Sequence, residues 1–198
     1  MKKHKKIESQ ISIPNKVKIE KKEQFLIFSG VLGFTKLDLT KIDPMGLGGI
    51  RISKDEKTLF LFGQSKSFFY SFKRLLINKI RGVTVGFLIS LRIVGVGYRA
   101  SIEKNKQFSL PEHTKQSRLE EQFLTFKLGY SHNIKYIVPF SIRAFLLEPT
   151  LLCLFGIDKN QVSQVGSKIR AFKAPERYKG KGIRFTTEKV VLSQGKRK

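Results

Sequence analysis

Apolar and polar residues alternate in short runs through the first third of the chain. A period of two residues is typical of β-strands that bury one face, and each run ends at a polar turn or at a proline such as Pro14. The pattern therefore predicts strands at residues 11–13, 17–20, 24–28, 34–39, 50–52 and 58–62.

The apolar spacing changes at Ser65 from two residues to three and four. Such spacing places side chains on one stripe of a helix, and the stripe consists of Phe68, Phe69, Phe72, Leu75, Leu76 and Ile80. We therefore expect an amphipathic helix over 65–80. Gly82 is a plausible C-terminal stop for it.

The second half of the chain repeats this order of elements. Extended runs are predicted at 87–102, 122–128, 134–138, 142–147 and 151–155. A second helical stripe then follows, formed by Val162, Val165, Ile169 and Phe172. This helix is predicted to begin after Asp158, to end at Pro175, and to be followed by a short strand at 183–186.

Two parts of the sequence look like copies of one unit. Residues 58–63 lead directly into the first helix and residues 151–156 lead directly into the second, each run ending in glycine. We interpret the chain as α+β, with two tandem copies of a small antiparallel β-sheet packed with one α-helix. The predicted order is a basic N-terminal arm (1–10), an N-terminal repeat (11–83), a C-terminal repeat (84–188) with a polar insertion (103–121), and a basic tail (189–198).

The charge of the chain is its most unusual property. It carries 39 Lys and Arg against 15 Asp and Glu, a net charge of +24, while a hydrophobic content of 40% is sufficient for a folded core. The cations concentrate at the ends: residues 159–198 hold twelve cations and two acids. A protein this basic is expected to bind a polyanion.

Other classes of chemistry find no support in the sequence. The run Gly95–Ala100 matches a dinucleotide fingerprint, but no helix follows to receive a phosphate at its N-terminus. The three histidines are scattered, and Cys153 lies in an apolar strand, where a small buried residue is expected. We therefore predict no catalytic residue, no metal site and no cofactor. No apolar run reaches 18 residues, so no membrane span is predicted.

A basic run at residues 168–185 is the strongest functional signal. Cations recur every two or three residues, aromatic residues lie among them, and the only acid is Glu176. A solvated basic tail is one interpretation, but the interleaved apolar residues favour an RNA-contacting loop between a helix and a strand. Predicted RNA-binding residues are Lys168, Arg170, Lys173, Arg177, Tyr178, Lys179, Gly180, Lys181, Gly182 and Arg184.

The roles of these residues differ. The cations would meet phosphates, and Gly180 and Gly182 would let the backbone approach the RNA. Tyr178 would either stack on a base or pack on its own domain, and we favour packing. Further candidate contacts are Arg99, Ser131 and His132, although a histidine in a turn can equally hydrogen-bond its own loop.

Three segments, in order along the chain, resemble one protein family. They are Gly95–Ala100, Leu128–His132 and Arg170–Phe185, and together they are similar to the L-six family of large-ribosomal-subunit proteins. The resemblance implies a duplicated α+β fold whose C-terminal copy makes the main rRNA contact. Arg177 stands where this family usually has a second proline, and the insertion at 103–121 is longer than the bacterial pattern.

The resemblance also implies where the protein is located in the ribosome. It indicates a structural constituent of the large ribosomal subunit on rRNA near the sarcin–ricin loop and the stalk base, among neighbouring ribosomal proteins and close to docked translational GTPases. Frequent Lys, Phe and Ile, the absence of Trp and the lack of a transit peptide favour an organelle-encoded protein of the mitochondrial ribosome, with a plastid or bacterial cytoplasm as alternatives. A free RNA or DNA chaperone and an RNA-modifying enzyme are the competing functions.

Overall fold

A computed structural model of the chain describes residues 7–53, 55, 57–104 and 122–193. It divides into two compact units. The first extends to Gly86 and includes Ile157–Lys159, and the second comprises Phe87–Gly156 and the chain from Asn160 onward. Within the described residues, no helix has the length and apolar character needed to span a membrane.

The first unit consists of two three-stranded antiparallel sheets and a long helix. The sheets have the strand orders β1-β6-β5 and β2-β3-β4. Helix α2 packs against β1, β3, β4 and β6, so it contacts both sheets. The elements are β1 (Ile7–Ser12), β2 (Lys18–Lys22), β3 (Phe25–Gly30), β4 (Gly33–Asp38), α1 (Leu39–Ile42), β5 (Gly48–Ile52), β6 (Thr58–Gly63) and α2 (Lys66–Thr84).

Two details of this unit differ from the sequence prediction. Residues 7–10, which we expected in the basic arm, pair along β6 because the inward alternation of Ile11 extends back through Ser9 to Ile7. Helix α1 begins where a strand was expected to continue. Its cap is the Asp38 carboxylate, which accepts hydrogen bonds from the backbone N–H of Thr40 at 3.1 Å and of Lys41 at 3.4 Å.

The second unit consists of a four-stranded sheet, a three-stranded sheet and one long helix. The strand orders are β11-β12-β7-β13 and β10-β9-β8, and every pairing is antiparallel. The core includes the stripe of α3 at Val162, Val165 and Ile169. The elements are β7 (Phe87–Val94), β8 (Arg99–Lys104), β9 (Gln122–Lys127), β10 (Ile134–Val138), β11 (Ile142–Glu148), β12 (Leu151–Gly156), α3 (Lys159–Phe172) and β13 (Gly182–Phe185).

The two units share one topology. In each, the strand that leads into the long helix is flanked by the first strand of the unit and by the strand that precedes it in sequence, giving β1-β6-β5 and β7-β12-β11. The remaining three strands form a meander, β2-β3-β4 or β8-β9-β10. The predicted α+β class is confirmed, and each unit contains two sheets where the sequence indicated one. The strand β13 has no counterpart among the described residues of the first unit.

The predicted insertion at 103–121 falls mostly outside the described residues. Its first two residues, Glu103 and Lys104, pair with β9 as the end of β8. The extended run predicted at 87–102 is divided by a turn into β7 and β8. In this turn the Tyr98 N–H donates to the Gly95 carbonyl at 3.2 Å, and Gly95 and Gly97 have positive φ angles.

Candidate nucleic-acid interface

The basic run forms a closed loop between α3 and β13. The Ile183 N–H donates to the Lys173 carbonyl at 2.7 Å, and the Glu176 N–H donates to the Lys181 carbonyl at 2.9 Å. A third bond, from the Gly180 N–H to the Glu176 carbonyl at 3.1 Å, tightens the turn. We call residues 173–182 the basic loop. Because three backbone hydrogen bonds restrain it, two within the loop and one from β13, the loop presents its side chains from a fixed frame.

The tip of the basic loop carries exposed side chains. Arg177, Tyr178 and Lys179 are all exposed, and none of these side chains makes a hydrogen bond or ion pair within the described part of the chain. The Tyr178 side chain is 63% exposed. We had expected this ring to pack on the domain, but the turn directs it into solvent, where it is available for stacking on a base.

Gly180 and Gly182 are required by the backbone conformation of the basic loop. Gly180 has φ +67°, a conformation that costs other residues energy. Gly182 has φ +138° and is buried, and a Cβ atom there would lie 2.6 Å from the Ala174 carbonyl oxygen. Close approach between two segments of the protein therefore explains Gly182, which the sequence had led us to connect with RNA.

Lys173 is held against two aromatic rings. Its Nζ lies 4.2 Å from the centroid of the Tyr130 ring and 5.5 Å from that of Tyr98, distances at which a cation is attracted to a π-face. The Tyr130 hydroxyl donates to the Phe172 carbonyl at 3.1 Å, satisfying an acceptor in the last turn of α3. The ammonium of Lys173 is thus positioned before any ligand arrives.

The Tyr98 ring joins the three sequence motifs in space. A Cβ atom at Gly129 would lie 2.9 Å from this ring, and one at Gly95 would lie closer still, so both glycines are needed for the ring to fit. The motifs at Gly95–Ala100, Leu128–His132 and the basic loop therefore meet around Lys173. Ser131 and His132 are exposed in the neighbouring turn, with the Ser131 Oγ 3.4 Å from the His132 Nδ1.

Arg170 has a partner inside the protein. Its Nε donates to the Glu188 Oε2 at 2.8 Å and its NH2 to the Oε1 at 2.5 Å, a bidentate ion pair between α3 and the segment after β13. The hydrogen bonds from Arg170 hold the pKa of the Glu188 carboxyl below its usual value, and those to Glu188 raise the pKa of Arg170. Arg170 therefore supports the loop frame, whereas the sequence had suggested a phosphate contact.

The remaining predicted cations lie on different surfaces of the second unit. Lys168 is exposed on α3, and Lys181 is half-buried at the end of the basic loop. Arg184 lies directly opposite Arg92 in the pairing of β13 with β7. Arg92 was not selected from the sequence, although its position between the apolar residues Leu91 and Ile93, both of which are buried, would have indicated an outward side chain.

Arg99 also has an unexpected neighbour. It is exposed and pairs directly with Lys127 across β8 and β9, and Lys135 follows on the adjacent strand β10. Neither lysine was selected from the sequence, because only the strand register shows that they share a face with Arg99.

Other chemistry has no site among the described residues. Cys153 is buried, with its Sγ 3.5 Å from the Ser90 Oγ. No group of three His, Cys, Asp or Glu side chains that could hold a metal ion occurs in residues 7–53, 55, 57–104 and 122–193. The glycine motif at Gly95–Ala100 connects β7 to β8, which belong to two different sheets, so it lacks the helix that a dinucleotide phosphate requires.

Comparison with known proteins gives similarity along almost the whole chain. The sequence model of the family described as Ribosomal protein L6 matches residues 118–186. Large ribosomal subunit protein uL6m of Prototheca wickerhamii is 39% identical over 97% of this chain and 97% of its own length. Large ribosomal subunit protein uL6 of Paramagnetospirillum magneticum is 32% identical over 95% and 96%, and that of Parvibaculum lavamentivorans is 33% identical over 95% and 96%.

Proposed function

The chain belongs to the ribosomal protein L6 family of the large ribosomal subunit, and we propose that it binds large-subunit rRNA through the basic loop. Membership of this family makes it a structural ribosomal protein, with rRNA and other ribosomal proteins as partners.

One observation carries the assignment to the basic loop. Three exposed side chains, Arg177, Tyr178 and Lys179, project from a loop whose backbone is closed by three hydrogen bonds. Unpaired guanidinium and ammonium groups are suited to phosphates, and an exposed tyrosine ring is suited to stacking on a base or sugar. Because the loop is ordered in advance, little conformational entropy is lost when RNA binds.

Lys173 and Lys181 add two further cations within the basic loop, and Arg184 follows the loop on β13. Lys173 contributes an ammonium whose position is set by the Tyr130 and Tyr98 rings. Arg170 acts as a positioning residue, since its guanidinium is bonded to Glu188 and fixes the end of α3 relative to the segment after β13. Ser131 and His132 lie in the turn beside Lys173 and would reach sugar or phosphate oxygens of the same RNA.

The rRNA site that we propose lies near the sarcin–ricin loop and the stalk base. There the protein would support the region where translational GTPases dock, through the rRNA and without touching the GTPases themselves. The similarity to a mitochondrial uL6m favours a place in the mitochondrial ribosome, and the composition typical of an AT-rich genome favours an organelle-encoded chain. The similar bacterial uL6 proteins keep a plastid or bacterial ribosome as the alternative.

Incorporation into the large subunit tests this proposal. The variant Lys179→Glu/Lys181→Glu reverses two charges of the basic loop. As a matched control, Lys21→Glu/Lys36→Glu reverses two exposed lysines of the first unit that form no ion pair with any described residue. We expect the control and the unmodified chain to sediment with large subunits after a moderate salt wash and the loop variant to remain free. Normal incorporation of the loop variant would show that the basic loop is not the anchor.

The same experiment separates a ribosomal component from a free chaperone. A chaperone held by charge alone would leave the subunit during the salt wash regardless of which lysines were reversed.

A further inference from the structure

The outward face of the three-stranded sheet β8-β9-β10 carries cations in adjacent positions. Arg99 lies directly opposite Lys127, and Lys135 lies opposite Thr125, the next outward residue of β9. Side chains directly opposite are about 5 Å apart at Cβ and diagonal neighbours about 7–8 Å. Three positive side chains are therefore crowded on one face, whose opposite side is the apolar core around Leu124 and Phe126.

Such crowding opposes folding in the absence of a ligand. Like charges directly opposite each other in a sheet are destabilising, and neither Arg99 nor Lys127 forms an ion pair within the described part of the chain. The one described acid on this face, Glu103, lies at the other end, where it accepts a hydrogen bond from the Thr125 hydroxyl at 3.1 Å.

The equivalent sheet of the first unit provides an internal comparison. In β2-β3-β4 the Glu20 carboxylate lies 3.4 Å from the Lys18 Nζ and 3.7 Å from the Lys22 Nζ. The Lys41 Nζ lies 3.8 Å from the Asp38 carboxylate that caps α1, at the end of β4. On this face of the first unit two acids, Glu20 and Asp38, lie among the cations Lys18, Lys22 and Lys36. On the corresponding face of the second unit the one described acid is Glu103.

From this contrast we propose that the outward face of β8-β9-β10 is a second RNA-binding surface, which contacts the phosphate backbone through Arg99, Lys127 and Lys135. It rests on the proposed function in that the ligand is RNA, but it adds a surface separate from the basic loop. The Arg99–Lys127 row lies at the end of the sheet next to Tyr98 and Gly129, where Lys173 is held.

RNA fits this face better than a protein does. The centre of a protein interface is depleted of charged residues and enriched in apolar ones. Here the cations and the Ser101 and Thr125 hydroxyls occupy adjacent rows, and the apolar side chains Phe123 and Ile137 lie at the end beside Glu103. The arrangement suits a polyanion that is read by charge and not by base sequence.

The test neutralises the face in the full-length chain and measures binding to a transcript of large-subunit rRNA at several salt concentrations. Each phosphate contact contributes roughly 0.7 to 0.9 to the log–log salt slope, so Lys127→Gln/Lys135→Gln is expected to reduce its magnitude by roughly 1.4 to 1.8. The matched control Lys21→Gln/Lys36→Gln is expected to leave the slope unchanged. An unchanged slope for the sheet variant would overturn the proposal.

Thermal unfolding of the free protein tests whether weaker RNA binding by the variant is caused by a destabilised fold. Since Lys127→Gln removes one of two opposed cations, the Tm of the free variant is expected to stay the same or rise while RNA binding weakens. A lowered Tm together with weaker binding would mean that these lysines support the fold, and would count against the proposal.

Ultraviolet cross-linking of assembled subunits distinguishes the partner. We expect nucleotide adducts on peptides from residues 122–138, and cross-links from them to another protein alone would overturn the assignment to RNA.

The test of the sheet surface can be distinguished from the test of the basic loop. If Lys179→Glu/Lys181→Glu binds normally while the sheet variant is impaired, the loop fails as the anchor and the sheet surface stands. The reverse result removes the sheet surface and leaves the loop.

Discussion

Arg170 and Glu188 form a bidentate ion pair that joins the last turn of α3 to the segment after β13. The basic loop lies between these two elements in sequence, so this pair restrains the loop from outside while backbone hydrogen bonds restrain it from within. The side chains that we propose to face RNA therefore depend on a residue whose own guanidinium is bonded within the protein. Substitutions in this ion pair are therefore expected to change the stability of the protein as well as its binding.

The first prediction concerns this pair and pH. The pKa of Glu188 is lower in the folded protein than its usual value of 4.5, so ionisation of this carboxyl stabilises the fold above that value. The contribution is present at neutral pH and is lost as the pH falls through the lowered pKa. Glu188→Gln is expected to lower the free energy of unfolding by about 1 kcal/mol at neutral pH. The expected loss is this small because solvent screens the charges of a partly exposed ion pair.

Urea unfolding followed by circular dichroism at a series of pH values checks this. The difference between the wild-type chain and Glu188→Gln should shrink as the pH falls below 4.5. A difference that stayed constant with pH would mean that the pair does not stabilise the fold through its charge.

The second prediction compares a glycine that is required because a Cβ atom would clash with one that is required only for its positive φ angle. Gly182→Ala introduces a methyl group 2.6 Å from the Ala174 carbonyl oxygen, so the loop must open or the strand must shift. We expect a loss of about 2–4 kcal/mol in the free energy of unfolding. The matched change Gly97→Ala, at φ +73° with no atom within 4 Å of the new carbon, should cost only about 1 kcal/mol. Equal losses for both variants would contradict the crowded contact at Gly182.

The third prediction divides the two contacts of Tyr130. Tyr130→Phe keeps the ring under the Lys173 ammonium but removes the hydrogen bond to the Phe172 carbonyl, whereas Tyr130→Leu removes both. We expect Tyr130→Phe to cost about 1 kcal/mol of stability with little change in rRNA affinity. Tyr130→Leu should in addition weaken rRNA binding about two- to five-fold, corresponding to a cation–π interaction of about 0.5–1 kcal/mol. Identical rRNA affinities for the two variants would show that the ring does not position Lys173.

Local sequence patterns were sufficient for the elements and for the basic run, but not for its internal partners. The helices at Lys66–Thr84 and Lys159–Phe172 follow from apolar spacing, and the loop follows from Pro175 and the glycines beyond it. The role of Arg170 did not follow, because its partner Glu188 is brought close only by the turn that forms β13. Isolated cations in a basic run look alike until tertiary structure pairs some of them.

Strand register was the other information that the sequence lacked. Lys127 and Lys135 lie in strands that were predicted correctly, yet their shared face with Arg99 depends on which residues of β8, β9 and β10 stand opposite each other. A shift of one residue would have turned them toward the core. The sequence also gave no reason to connect Tyr98 with Lys173, since 75 positions separate them and the contact forms only in the folded second unit.

The central claim is that the basic loop binds rRNA through the charges of its side chains. The most direct test is the salt dependence of binding to a large-subunit rRNA transcript, measured for the unmodified chain, for Lys179→Glu/Lys181→Glu and for Lys21→Glu/Lys36→Glu. With about five of its cations at phosphates, the basic loop should contribute roughly −3.5 to −4.5 to the log–log slope of the unmodified chain and of the control, and the loop variant should bind weakly with a shallower slope. A slope near zero for the unmodified chain, or an unchanged slope for the loop variant, would contradict the claim.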